Sequence, residues 1–226
     1  MRNLALAAVF GVGLLAGGVA AAEQYTDPAG RLTFNAPSGW RVQPRGAGGQ
    51  TAVLAFNPTN DCYFFGADNP NTANSSAEAA MNTRDPIPAD AWVTYASPIR
   101  DFFEGSPATL VSQTVDTSGA WPVQRAELRG PSKTVYGAVL IRPGVEIRAF
   151  CAGSNSAAAY DSIFASLAHP NDAAWQRAAG EQRAQREAHN AEVAAQQAAQ
   201  QSESSAQQEE RPAERRRRSG RGVGRE

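Results

Sequence analysis

Thr134-Val135-Tyr136-Gly137-Ala138-Val139-Leu140-Ile141 and Val145-Glu146-Ile147-Arg148-Ala149-Phe150-Cys151 are two runs rich in apolar and β-branched residues, joined by Arg142-Pro143-Gly144. Proline presets the φ of one turn position and glycine tolerates the positive φ of the next, so the stretch reads as two antiparallel strands and a tight turn. Val145, Ile147, Ala149 and Cys151 fall on one face of the second strand. Upstream, Thr109 to Val115 and Pro122 to Leu128 carry the same strand signals. Downstream, Ser156 to Ala168 places Tyr160, Ile163, Phe164 and Leu167 three and four residues apart. That is the spacing of an amphipathic helix, which must lay its apolar stripe on the sheet.

The front half follows a similar logic. Arg31 to Ala36 alternates polar and apolar, halts at Pro37-Ser38-Gly39, and resumes in Trp40-Arg41-Val42. The Gly-rich Arg45 to Gln50 reads as a hairpin loop before strands at Thr51 to Phe56 and Cys62 to Phe65, which Asn57 to Asp61 connect. The period then changes. Ser75 lies three residues before Glu78, a helix-start spacing, and a second helix is predicted over Ala89 to Ala96 behind Pro88. Strands, a helical middle, more strands and a closing helix define an α+β domain with a central antiparallel sheet.

Gly30-Arg31-Leu32-Thr33-Phe34-Asn35-Ala36-Pro37-Ser38-Gly39-Trp40-Arg41-Val42 resembles the opening of PsbP-like domains, and Tyr160 to Leu167 is similar to that family's closing helix. The resemblance implies an αβα sandwich, with helices on both sides of the sheet. It also implies a role in docking onto larger assemblies rather than in catalysis. Metal binding of the kind met in some plant relatives does not carry over, because the histidines here are His169 at the domain edge and His189 beyond it.

Residues 1–22 read as a signal peptide: Met1-Arg2-Asn3 is a positive start, Leu4 to Val19 is uncharged and apolar, and Ala20-Ala21-Ala22 suits signal peptidase. The expected location is therefore exported, periplasmic or extracellular, where disulfides persist. Residues 23–170 form the PsbP-like domain, 171–201 an exposed Ala/Gln-rich helix, and 202–226 an Arg-rich tail too polar to bury a core and expected to be disordered. With 21 basic against 22 acidic residues the chain has no overall field to draw it onto nucleic acid.

Cys62 and Cys151 are the cysteines of the chain, both on apolar strand faces, and in an exported protein they are expected to pair. No Gly-x-Ser-x-Gly elbow, Walker loop or Gly-x-Gly-x-x-Gly fingerprint occurs, and no cofactor is implied. The oxygen-rich Asp68 to Asn74 reads as a helix-capping loop, since Pro70 and Ala73 stand where a calcium loop wants a ligand and a glycine. Two carboxylate pairs, Asp101 with Glu104 and Glu127 with Glu146, are candidates for acid–base work, the second against a face shared with Arg125, Arg129 and Arg148. Phe102 and Phe103, following Trp92 and Tyr95, are candidate partner-binding residues, against the reading that they plug the end of the core.

Asn171-Asp172 caps the following helix, whose expected anchor is Trp175. Arg215, Arg216, Arg217 and Arg218 form the local positive field, a candidate anion-binding site for a weak contact with an anionic surface. The residues favour a non-catalytic exported binding or assembly module, acting on an unknown protein or envelope component and not on nucleic acid. A small-molecule or lipid carrier is the second class and a carboxylate-dependent enzyme the third.

Overall fold

The computed structural model describes residues 22–46, 50–82, 84–153 and 156–219. The stretch read as a signal peptide, apart from Ala22, and part of the Gly-rich loop lie outside the described residues. A hairpin of β1 (Glu23–Thr26) and β2 (Thr33–Ala36) precedes the main sheet. That sheet has seven strands: β3 (Arg41–Pro44), β4 (Thr51–Asn57), β5 (Asn60–Asp68), β6 (Thr109–Asp116), β7 (Val123–Arg129), β8 (Thr134–Arg142) and β9 (Val145–Gly153). Their order is β3-β4-β5-β9-β8-β7-β6, every pairing antiparallel. The quoted hairpin, β8 and β9, thus lies inside the sheet, with Arg142 facing Val145 across the turn. Gly144 holds φ at 74°, which a side chain there would resist. Asn57 to Asp61 proves tighter than its composition suggests: Asn57 pairs with Asn60, and the Asn57 Oδ1 accepts the Thr59 and Asn60 amides at 2.9 Å each.

Helices α1 (Ala77–Asn82) and α2 (Ala89–Ala96) fill the middle of the chain, followed by a 3-10 helix at Ser97–Phe103. Ser76, rather than Ser75, caps α1, its Oγ accepting the Ala79 amide at 3.1 Å. Helix α3 (Asp161–Ser166) closes the domain behind a 3-10 turn at Ala157–Tyr160.

Each face of the sheet has its own core. On one, Val53, Phe64, Leu140 and Ile147 are covered by Leu32 and Phe34 of the hairpin segment and by Tyr160, Ile163 and Phe164. Phe34 and Phe64 stack with centroids 3.8 Å apart. On the other, Phe150, Val135, Val139 and Leu128 are covered by Trp92, Ile99, Phe102 and Phe103. Burying each such side chain contributes roughly 1.5–3 kcal/mol. Gly137 lets this second layer close: a Cβ there would sit 3.0 Å from the Trp92 ring and 3.1 Å from Phe150. The Cys62–Cys151 disulfide joins directly opposed residues of β5 and β9 on the first face, both fully buried.

Helix α4 runs Asp172–Ser219, 48 residues, about 72 Å at the usual rise. It continues past Gln201, where the sequence reading ends it, because Ala, Gln, Glu and Arg keep high helix propensity beyond that point. Pro212 interrupts it chemically, having no N–H to donate. Residues 220–226 of the tail lie outside the described residues. The first four turns of α4 dock: Trp175 and Ala179 meet Ala77, Ala80 and Met81 of α1 and Trp121, while Arg186 pairs with Glu78.

Candidate functional site

Helix α3 and the hairpin cover the first face only over its central strands, and β7 and β6 run on past them. The Asp116-to-Val123 connection and the base of α4 rise beside this uncovered part, leaving a half-open groove of about 650 Å³. Gln24, Thr26 and Thr33 line it from the hairpin, Asp116 and Ser118 from the β6–β7 connection, Arg125 from β7, and Asp172 and Gln176 from α4. A hollow of about 180 Å³ over β6, β7 and β8 adjoins it, sharing Arg125 and Phe164 and adding Glu127, Tyr136 and Asp161.

The back wall is a buried charge pair among aromatic rings. Arg142, 2% exposed, donates from Nε to Asp172 Oδ1 at 2.7 Å and from Nη2 to Oδ2 at 3.0 Å. Its Nη1 donates to the Ile141 carbonyl at 3.1 Å, and its guanidinium lies 4.3 Å from the Trp121 ring centre. Burial lowers the Arg142 pKa and the Asp172 contact opposes that shift. Asp172 Oδ2 also accepts the His169 amide at 3.2 Å, so one carboxylate ties the start of α4 both to the sheet and to the segment that precedes it. The Asn171 amide donates to His169 Nδ1 at 3.0 Å, which places the neutral ring's proton on Nε2. His169 stacks on Trp175 with ring centres 4.6 Å apart, and Trp175 meets Trp121 nearly edge-on at 6.2 Å. Burial, the larger influence, and Arg142 hold the His169 imidazole below its usual range against the pull of Asp172.

At the mouth, Arg125 donates to Asp161 at 3.2 Å, lies 3.8 Å from Asp116 and covers the Phe164 ring at 5.2 Å. Asp116 accepts Ser118 Oγ at 2.7 Å and the Ser118 amide at 3.0 Å, and these bonds, with Arg125, hold its carboxyl below the ordinary range. The ionic groups at the mouth and on the back wall are thus fixed in pairs. His169 offers its neighbours no free lone pair at Nδ1, and each Asp172 oxygen is engaged. Such an arrangement presents oriented hydrogen-bonding groups and is poorly suited to moving protons.

The residues singled out from the sequence are distributed differently. Trp92, Phe102 and Phe103 are buried in the second core, and Trp92 Nε1 donates to Gln113 Oε1 at 2.9 Å. They plug the core; as placed, their rings are closed to a partner. Tyr95 is half-buried, its hydroxyl donating to Glu146 Oε2 at 2.8 Å beside Arg148. Glu127 and Glu146 make no pair. Glu127 lies opposite Tyr136 on the first face, whereas Glu146 alternates with Ile147 and points to the second, toward Arg148. Glu104 reaches Ser132, and the Asp68 carboxylate is taken by Arg31 at 3.0 Å. Arg215 to Arg218 lie on the backbone of α4. Among the described residues no group of three or more His, Cys, Asp or Glu side chains is arranged to hold a metal ion.

The Arg142–Asp172 pair and the groove above it went unrecognised in the sequence. Arg142 stands beside Pro143-Gly144 and reads as part of a turn, although an arginine closing an otherwise apolar strand was a usable signal.

No family model matches the chain, and no curated protein matches it. Among solved structures the chain has weak similarity to the solution structure of cyanobacterial PsbP (CyanoP) from Synechocystis sp. PCC 6803, with a TM-score of 0.47 and 15% sequence identity. The match covers 73% of this chain and 98% of that one.

Proposed function

We propose that this protein is an exported, non-enzymatic binding module that presents the groove beside α4 to a partner in the cell envelope. The observation that carries the reading is the groove itself: about 650 Å³ of half-open space with hydrogen-bonding side chains at its rim and a rigid, paired Arg142–Asp172 wall. Preorganised polar groups of this kind favour binding because little ordering remains when a partner arrives. The apolar residues are consumed by two filled cores, which argues against a carrier needing a sealed apolar cavity. Export is supported by the N-terminal sequence and fits the buried disulfide.

The test is a groove-filling substitution. Ala173→Trp, at an exposed position on the groove wall, should abolish association with isolated envelope while leaving the melting temperature within a few degrees of wild type. Undiminished association would remove the groove from the account. The basic end of α4 adds a second, weak contact in this proposal. Replacing Arg215, Arg216, Arg217 and Arg218 by glutamine should reduce sedimentation with anionic vesicles at low salt, since each arginine near such a surface is worth up to about 1 kcal/mol.

A further inference from the structure

We propose that His169 is an acid-sensitive latch for the base of α4, whose protonation releases the first turns of the helix from the domain and opens the groove they wall. The device is independent of what the groove binds. His169 is 7% exposed and begins the three-residue bridge, His169 to Asn171, between two anchored points. On one side Ala168 exchanges backbone hydrogen bonds with Thr33 at 2.8 and 2.9 Å; on the other the Asp172 amide donates to the His169 carbonyl at 2.9 Å.

In the neutral ring Nδ1 accepts the Asn171 amide at 3.0 Å. An imidazolium carries a hydrogen on Nδ1, so two donors would face each other at that distance and the Asn171 amide would lose its acceptor. No spare carboxylate stands ready to receive the new charge. Asp172 already uses Oδ1 for Arg142 and Oδ2 for Arg142 and the His169 amide. Arg142, on β8, is itself a buried cation acting on His169. The other charged groups on the surrounding elements are committed: Glu78 of α1 to Arg186, Asp116 to Ser118, and Arg125 of β7 to Asp161. The Trp175 face attracts a cation, but that attraction leaves the opposed N–H groups unrelieved.

The sign follows. Docking holds His169 neutral and its pKa below the ordinary value, so the contribution is complete above about pH 6.5 and is lost as pH falls below it. The turns of α4 that follow Asp172 are the part set free: Asp172 stays paired with Arg142, and Trp175, Ala179 and Arg186 hold the turns beyond it to the rest.

The experiment is nuclear magnetic resonance of the mature full-length chain. His169 should appear as the Nε2–H tautomer and titrate below the ordinary imidazole value of about 6.5. Amide protection of residues 173–183, corrected for intrinsic exchange, should fall by up to about tenfold per pH unit below about pH 6.5. H169Q, which keeps an acceptor but cannot titrate, should flatten that dependence. Titration of His169 at or above about 6.5, or the same pH slope in H169Q, would overturn the proposal. If H169Q does not fold, the tautomer and titration midpoint of His169 in the wild type decide.

Discussion

Arg142 at the end of β8 and Asp172 at the start of α4 form a two-pronged ion pair, 30 residues apart in sequence, with contacts of 2.7 and 3.0 Å. Their side chains are 2% and 12% exposed. A pair so buried is held by mutual need, since either charge alone would be stranded in a poor solvent.

Asp172→Ala is therefore expected to destabilise the domain by about 3–5 kcal/mol, whereas the double variant Arg142→Met, Asp172→Ala should recover most of that loss. Urea denaturation of the two single variants and the double completes the cycle. Additive losses would mean that the pair is not coupled.

This pair also marks the limit of what the sequence displays. Strand and helix positions are legible because each rests on local pattern: alternation in β8 and β9, i/i+3/i+4 spacing in α3, Pro-Gly between strands. The cysteine pairing is legible because the chain has two cysteines on apolar strand faces. The groove depends instead on strand order and on where α4 docks, and neither is a local property. β1 was missed because Glu23–Thr26 is too short and polar to announce a strand; it exists by pairing with β2. Trp92, Phe102 and Phe103 can be named as important from their size, but whether they face a partner or the core depends on distant chain, such as Gly137 making room for Trp92 and Gly130 for Phe103.

The disulfide carries a prediction of its own. Both cysteines are fully buried and the bridge closes 89 residues of chain, so Cys62→Ala, Cys151→Ala should cost about 2–5 kcal/mol. In the wild type a thiol reductant should act no faster than the protein unfolds. Reduction of the native protein on the time scale of an exposed disulfide would contradict the buried placement.

Two tyrosines set the alkaline limit. Burial, with the hydrogen bond to Glu146, pushes Tyr95 up to about 12, and burial, with Tyr136 and Asp61 nearby, pushes Tyr160 up to about 12. Both phenols are held neutral in the fold, so their contribution is complete below about pH 10, the ordinary tyrosine value, and is lost between there and pH 12. Phenolate absorbance should show Tyr95 and Tyr160 titrating late in the native protein, with Tyr25 also raised by burial and Asp27, and stability should decline over the same window. Tyr95→Phe should remove one group and soften the decline. Ordinary titration of Tyr95 and Tyr160 would refute this assignment.

The most direct test of the central claim is site-specific photocrosslinking in the producing cell, with the photoreactive residue placed at Gln176 or Ser118 in the groove and at Gln43 on β3 as control. The account predicts a discrete adduct from both groove positions, lost when Ala173→Trp is introduced, and none from position 43. Equal labelling at position 43, or groove adducts that survive Ala173→Trp, would contradict it.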